Sequence, residues 1–513
     1  MKKTAAWILC AALLCGLLSG CQNDSGAYTP TGDALIMEDG EPVQTVPKEE
    51  TQELTLTYYP GESLNPLACT DYTNRVLFSL VYQGLFTVDR DYNTAPLLCG
   101  RYTCSDDMRA YTFYLAENAV FSDGTPVSAQ DVAASLQSAK ASTYFGGRFQ
   151  HIVGFALTED GGVTVQADTP MENMPILLDT PILKDAEVAA ERPLGTGAYV
   201  FSEGGGGLCL RRKTDWWYSG KIKVTAPEIT LLQAQSNTQI RDNFEFSGLD
   251  LVCANPASDR YADYRCDYEL WDCETGIFLY LLSNMESEVF RNGAVRSALT
   301  YAIDRQSIVS ENFRGFGRAA SLPASPASPY YSQVQAEKYA FDGGDRLRQA
   351  VTENGLTGAP VIVLVNSGDT MRTRIARTVG AYLNNAGLSV QMKELTGRDY
   401  TYTLQVREYD LLVGQTRLPP NMDLSAFFTS YGNLSYGGVA DAGIYALCLD
   451  SLANHGNYYS LHQAVMDDGR LCPVAFCSYA IYATRGLITE LTPSRDCVFY
   501  FTPEKTMEDI RAK

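Results

Sequence analysis

Apolar and polar positions follow several distinct rhythms along this chain, and each rhythm predicts an element. Ala5 to Leu18 is an unbroken apolar run. It falls short of the roughly 20 residues that a membrane-spanning helix needs. Lys2 and Lys3 precede it and small residues follow, the layout of a cleaved export signal over residues 1–20. Residues 21–52 carry Gly, Pro, Thr and acidic side chains with little apolar periodicity, and predict a flexible acidic tether. Leu54-Thr55-Leu56-Thr57-Tyr58 then alternates with period two, so the folded body opens near Glu53 with a strand.

Turn and cap signals divide the next stretch. Phe121 to Pro126 is a turn cluster. Ser128-Ala129-Gln130-Asp131 has the form of a capping box and opens a helix with Val132 and Leu136 on one face. Gly204 to Gly207 joins Tyr199-Val200-Phe201 to Leu208-Cys209-Leu210 as a hairpin. A phosphate loop there is excluded, because no Lys-Ser/Thr follows. Val295, Ala298, Leu299, Ala302 and Ile303 recur at helical spacing. Val361–Val365 reads as a strand, Ile375, Val379 and Leu383 as a helix face, and Leu388–Met392 as a second strand. That order predicts a βαβ unit with parallel strands, and Tyr409–Val413 adds another. The body is therefore α/β.

Composition narrows the possible functions. Among 513 residues, 60 are acidic and 40 basic, a net charge of −20. Such a surface repels phosphates, which argues against a nucleic-acid partner. Of fourteen cysteines, Cys10 and Cys15 lie in the export signal, and eleven follow Cys21. Export permits disulfides. Cys266 with Cys273 and Cys472 with Cys477 are near enough in sequence to pair, although connectivity stays open. Three histidines and no Cys-x-x-Cys pair argue against a zinc site or another metal cofactor. No Gly-x-Ser-x-Gly elbow accompanies them, so a hydrolase is not expected.

Leu18-Ser19-Gly20-Cys21 resembles the lipobox of bacterial lipoproteins, which implies a lipid on Cys21 and a place at the outer face of the cell membrane. The body resembles the family 5 extracellular solute-binding proteins, the peptide-binding class that serves ABC importers. The resemblance rests on Leu64-Asn65-Pro66, Leu80 to Phe86, Tyr111-Thr112-Phe113, Pro193 to Tyr199, Asp215-Trp216-Trp217 and Val295 to Arg305, in that order. It implies a bilobal periplasmic-binding-protein-like fold (class II) with an extra subdomain in the first lobe. Lobe I would comprise residues 53–272 plus 471–513, with a subdomain near 66–190, and lobe II residues 276–470. Two hinge crossings would lie near Trp271–Gly276 and Cys472–Tyr479. Gly195 and Gly197 would serve tight turns, and Asp304-Arg305 a helix cap or ion pair.

The implied function is capture of oligo- or dipeptides by a monomeric receptor that delivers them to a permease. The same receptor for a metallophore, modified sugar or small anion, and a ligand sensor, remain alternatives. Relatives pair the peptide α-amine with an acid after a strand beginning Tyr-Asp. Here Gln415 stands in place of the usual tryptophan, and Arg417-Leu418 stands where the acid is expected. Asp423 is then a shifted anchor, or Arg417 faces the cleft and meets an anion, or Arg417 is a solvated loop residue. Asp71, Tyr72, Trp271, Phe476 and Tyr479 complete the candidate ligand contacts.

Overall fold

The computed structural model describes residues 53–218, 220, 222–258, 264–488 and 491–511, with two short strands before them. The export signal and Cys21 lie outside the described residues. Within the expected tether, Ile36–Glu38 pairs antiparallel with Glu41–Val43.

Three sheets organise the body. Leu54–Tyr58 pairs in parallel with Glu228–Gln233, which continues through Gly207–Arg212 to Tyr199–Gly204. A second, antiparallel sheet takes the order Cys99–Cys104, Ala110–Leu115, Val163–Ala167 and Ile152–Leu157. The third has the order Leu251–Ala254, Leu471–Thr484, Tyr268–Ser283, Leu411–Arg417, Pro360–Asn366 and Ser389–Leu395, with Gly317–Ala319 beside Leu471–Thr484. Its last three strands are mutually parallel, and the helix Thr370–Asn385 makes the crossover between Pro360–Asn366 and Ser389–Leu395. Val361, Val363, Leu364 and Val365 are fully buried, as a parallel strand covered on both faces requires.

The local signals act as expected at several points. Ser128 and Asp131 close a reciprocal capping box on the helix Ala129–Ala141. Asp304 caps the helix Arg305–Asn312 by accepting from the Ser307 amide at 3.0 Å. Arg305 makes no ion pair there. It is buried and donates to the carbonyls of Pro473 and Thr300, both at 2.9 Å. The helix predicted through Ile303 is interrupted: Gly293–Ala298 is α-helical, Leu299–Ala302 tightens to a 3₁₀ turn, and Ile303 is extended. All five of its apolar positions are nevertheless buried.

Two expectations need correction. Gly195 and Gly197 do not sit in tight turns, and neither has a positive φ. They let one chain segment lie against the end of the helix Tyr72–Val81, where the Gly197 amide donates to the Val81 carbonyl at 2.9 Å. A Cβ at Gly195 would sit 2.2 Å from the Val81 oxygen. Gly195→Ala is therefore expected to lower the unfolding free energy by about 2 kcal/mol through overpacking. A fall in the urea midpoint at constant slope checks this.

Among the described residues the cysteines form no disulfides, and all eleven are free. Cys472 and Cys477 share one extended strand. Five residues of strand separate them by about 16 Å, whereas bridged Cα atoms lie roughly 4.4–6.8 Å apart. Cys273 meets the Tyr72 hydroxyl at 3.6 Å, while Cys266 faces the Phe244 carbonyl at 3.9 Å.

Candidate functional site

Tyr268–Ser283 and Leu471–Thr484 are long strands of 16 and 14 residues. They pair with each other along most of their length, and the register breaks between Glu274 and Ile277. On one side of the break Leu471–Thr484 also pairs with Leu251–Ala254. On the other side Tyr268–Ser283 pairs with Leu411–Arg417. Thr275 steadies the break by donating to the Cys477 carbonyl at 2.7 Å. Gly276 has φ 71°, and the Arg495 guanidinium lies where its Cβ would be, 2.3 Å from that point. Only glycine meets both conditions without strain.

A cavity of about 310 Å³ opens near these strands, with Tyr479 in its wall. Asp71, Tyr72 and Tyr479 line it, together with Tyr59, Asn237, Arg241, Cys253, Asn255 and Tyr264. Local chemistry explains how the helix Tyr72–Val81 presents its first residues there. Asp71 caps it by accepting from the Asn74 amide at 3.1 Å. Buried Asn74 accepts from the Tyr59 amide at 2.7 Å and donates to the Tyr59 and Glu62 carbonyls, both at 3.1 Å. The helix start and the preceding loop are thereby fixed together. Tyr72 then packs edge-to-face on Tyr479 at 3.9 Å, and its hydroxyl donates to the Arg495 carbonyl at 3.4 Å.

The other predicted contacts lie elsewhere. Phe476 is fully buried and stacks on Phe278 at 5.1 Å, as a core residue does. Trp271 and Gln415 are half-buried, opposite Ile481 and Leu279 in the sheet, and neither lines the cavity. Leu418 is 1 % exposed. Its amide donates to Gly276 at 3.0 Å and its carbonyl accepts from Arg495. Arg417 points to Asp496 at 3.3 Å, with its guanidinium 4.2 Å from the centre of the Tyr144 ring. Asp423 is 6 % exposed. Its carboxylate accepts from Gln150 and from the Ser425 amide, and lies 3.4 Å from His151 Nε2. That nitrogen is also 2.8 Å from the Ser425 hydroxyl.

Two charged clusters were invisible in the sequence. At Asp496, Arg148 approaches to 3.0 Å, Arg417 to 3.3 Å, Arg495 to 3.8 Å and Arg75 to 3.9 Å, while Tyr144 donates at 2.6 Å. Burial alone would raise the Asp496 carboxyl, but Arg417 and Arg148 hold it well below the usual range. Asp179, also paired with Arg148, is instead raised by burial. The second cluster joins His151 to Asp423 and Asp168. Burial disfavours the imidazolium, yet the two carboxylates raise its pKa to about 9. These partners come from segments more than 70 residues apart in most cases, and no local motif announces them.

Comparison with known proteins places this geometry. A family model described as bacterial extracellular solute-binding proteins, family 5, middle part, matches residues 93–437. The oligopeptide-binding protein AppA of Bacillus subtilis is 24% identical over 475 residues, covering 83% of this chain and 80% of that one. The glutathione-binding protein GsiB of Escherichia coli K12 is 24% identical over 311 residues, 58% of this chain and 60% of its own. The solved ABC transporter substrate-binding protein CtaP of Listeria monocytogenes superposes with a TM-score of 0.70 at 19% identity, over 87% of this chain and 97% of that one.

Proposed function

Because the chain belongs to the bacterial extracellular solute-binding proteins of family 5, we propose that it captures short peptides between its lobes for an ABC importer. Members of this family bind solutes and do not turn them over. The observation that carries the proposal is the cavity with Asp71, Tyr72 and Tyr479 in its wall, whose lining comes wholly from residues 53–272 and 471–513 and would form one lobe's face of the binding site. Its 310 Å³ falls within the roughly 300–1,000 Å³ typical of small-molecule sites. The names of AppA and GsiB, an oligopeptide and a glutathione binder, point the same way. In this reading lobe I spans 53–272 plus 471–513 and lobe II spans 276–470, and the receptor acts as a monomer beside its permease. Purification without refolding, followed by mass spectrometry of the bound material, tests it. Recovery of peptides is expected, and consistent recovery of a single non-peptide solute would overturn it.

One observation favours a second reading, a small anionic solute. Around Asp496 and Asp179, the arginines 75, 148, 417 and 495 outnumber the carboxylates. An unbalanced buried charge is costly and draws an anion. Arg417→Ala would then weaken the binding of the anion identified, and would leave a peptide ligand in place.

The proposal includes a lipid on Cys21 that holds the receptor at the outer face of the membrane. Cys21→Ala is expected to release folded, binding-competent protein into the medium, measured by fractionation. A single acyl chain is only marginal as an anchor, so the lipid found on Cys21 should be a diacylglycerol.

A further inference from the structure

The geometry points to Asp71 as the partner of the ligand's ammonium group, in a cavity whose lining comes entirely from residues 53–272 and 471–513, away from the segment in which peptide-binding relatives carry their acid. This rests on the reading of the protein as a receptor for short peptides. The segment that should carry the acid offers none. Leu418 is apolar and buried, with its amide and carbonyl both bonded to the hinge region. Asp423, the next carboxylate along, is already engaged by Gln150, His151 and Ser425 and does not line the cavity.

Among the described residues that line the cavity, Asp71 is the only carboxylate. Its capping bond to the Asn74 amide uses one oxygen and fixes the side chain in place, so the group is oriented before a ligand arrives. Four tyrosines, Tyr59, Tyr72, Tyr264 and Tyr479, share the wall with it. A carboxylate set among aromatic faces suits a cation, by ion pairing and by cation–π attraction. The lining arginine, Arg241, is turned onto Asp242 at 2.6 Å. The ligand class is therefore a small molecule with a free primary ammonium, such as an unblocked di- or tripeptide.

Asp71→Asn separates charge from structure, because asparagine caps a helix as well as aspartate does. The probes are a mixed library of unmodified di- and tripeptides and the same library N-acetylated, with retention on the protein read by native mass spectrometry. Wild type should hold members of the free-amine library and reject the acetylated one. Asp71→Asn should keep its melting temperature and lose about 10- to 100-fold in affinity for those members, the range of a charged hydrogen bond. If Asp71→Asn binds them as tightly as wild type, or wild type takes acetylated peptides equally well, the assignment to Asp71 fails while the peptide reading stands. If wild type holds neither library, both fail together.

Discussion

Asp496→Ala is expected to lower the unfolding free energy by about 3–5 kcal/mol, the usual cost of removing one partner from a buried ion pair. The carboxylate is the shared acceptor for Arg148 and Arg417, with Arg75 and Arg495 close behind. Arg148 and Arg495 are 5 % and 4 % exposed, so water cannot replace the lost acceptor. Asp179→Ala should cost less, because burial has raised its carboxyl and left less charge to lose. The Asp496 carboxyl is depressed in the folded state, so its contribution is complete above the ordinary carboxylate pKa. It is lost as pH falls through the depressed value. Urea titrations of both variants at neutral pH check the order. Equal losses would refute the view that Asp496 is the centre of the cluster.

The second large effect is alkaline loosening of the cleft. His151 bridges Asp168 of its own sheet and Asp423 beyond the strand Leu411–Arg417, with Ser425 and Gln150 completing the contact. Tyr445 is the other titratable group near both carboxylates. The imidazole pKa is raised from 6.5 to about 9. Its stabilisation is thus fully present below pH 6.5 and disappears as pH rises through about 9, a swing of at most about 3 kcal/mol. The swing for opening alone is smaller, since Asp168 stays beside the ring when Asp423 leaves. The radius of gyration of ligand-free protein, followed by small-angle scattering from neutral pH to above the His151 pKa, should increase. His151→Gln should remove that pH dependence. A variant that follows the wild-type curve would show that another group controls the opening.

Much of the architecture was legible because it rests on local chemistry. The Ser128–Asp131 box, the Gly205-Gly206 hairpin tip and the strand patterns at 361–365 and 388–392 act within one or two turns of chain. The site was only partly legible. Asp71, Tyr72 and Tyr479 do line the cavity, but Phe476 alternates to the opposite face of its strand and enters the core. Arg417 looked free because its partner, Asp496, is 79 residues away in sequence. Asp423 looked like an anchor because nothing near it in sequence announces His151. Period-two and period-3.6 patterns report which face is apolar. They carry no record of which distant charges will meet.

The unbridged cysteines have a chemical consequence for a protein working outside the cell. Oxidation and alkylation proceed through the thiolate, and burial suppresses that form. Cys99, Cys273, Cys477 and Cys497 are pushed by burial from 9.0 to about 12. At neutral pH this leaves about a thousandfold less thiolate on each than on an exposed cysteine. The fold thus shields these four thiols by denying them ionisation, and that shield lasts only while the chain stays folded. Each transient opening of the sheet that holds Cys273 and Cys477 exposes nucleophiles, so oxidative damage should rise steeply with temperature as openings become more frequent.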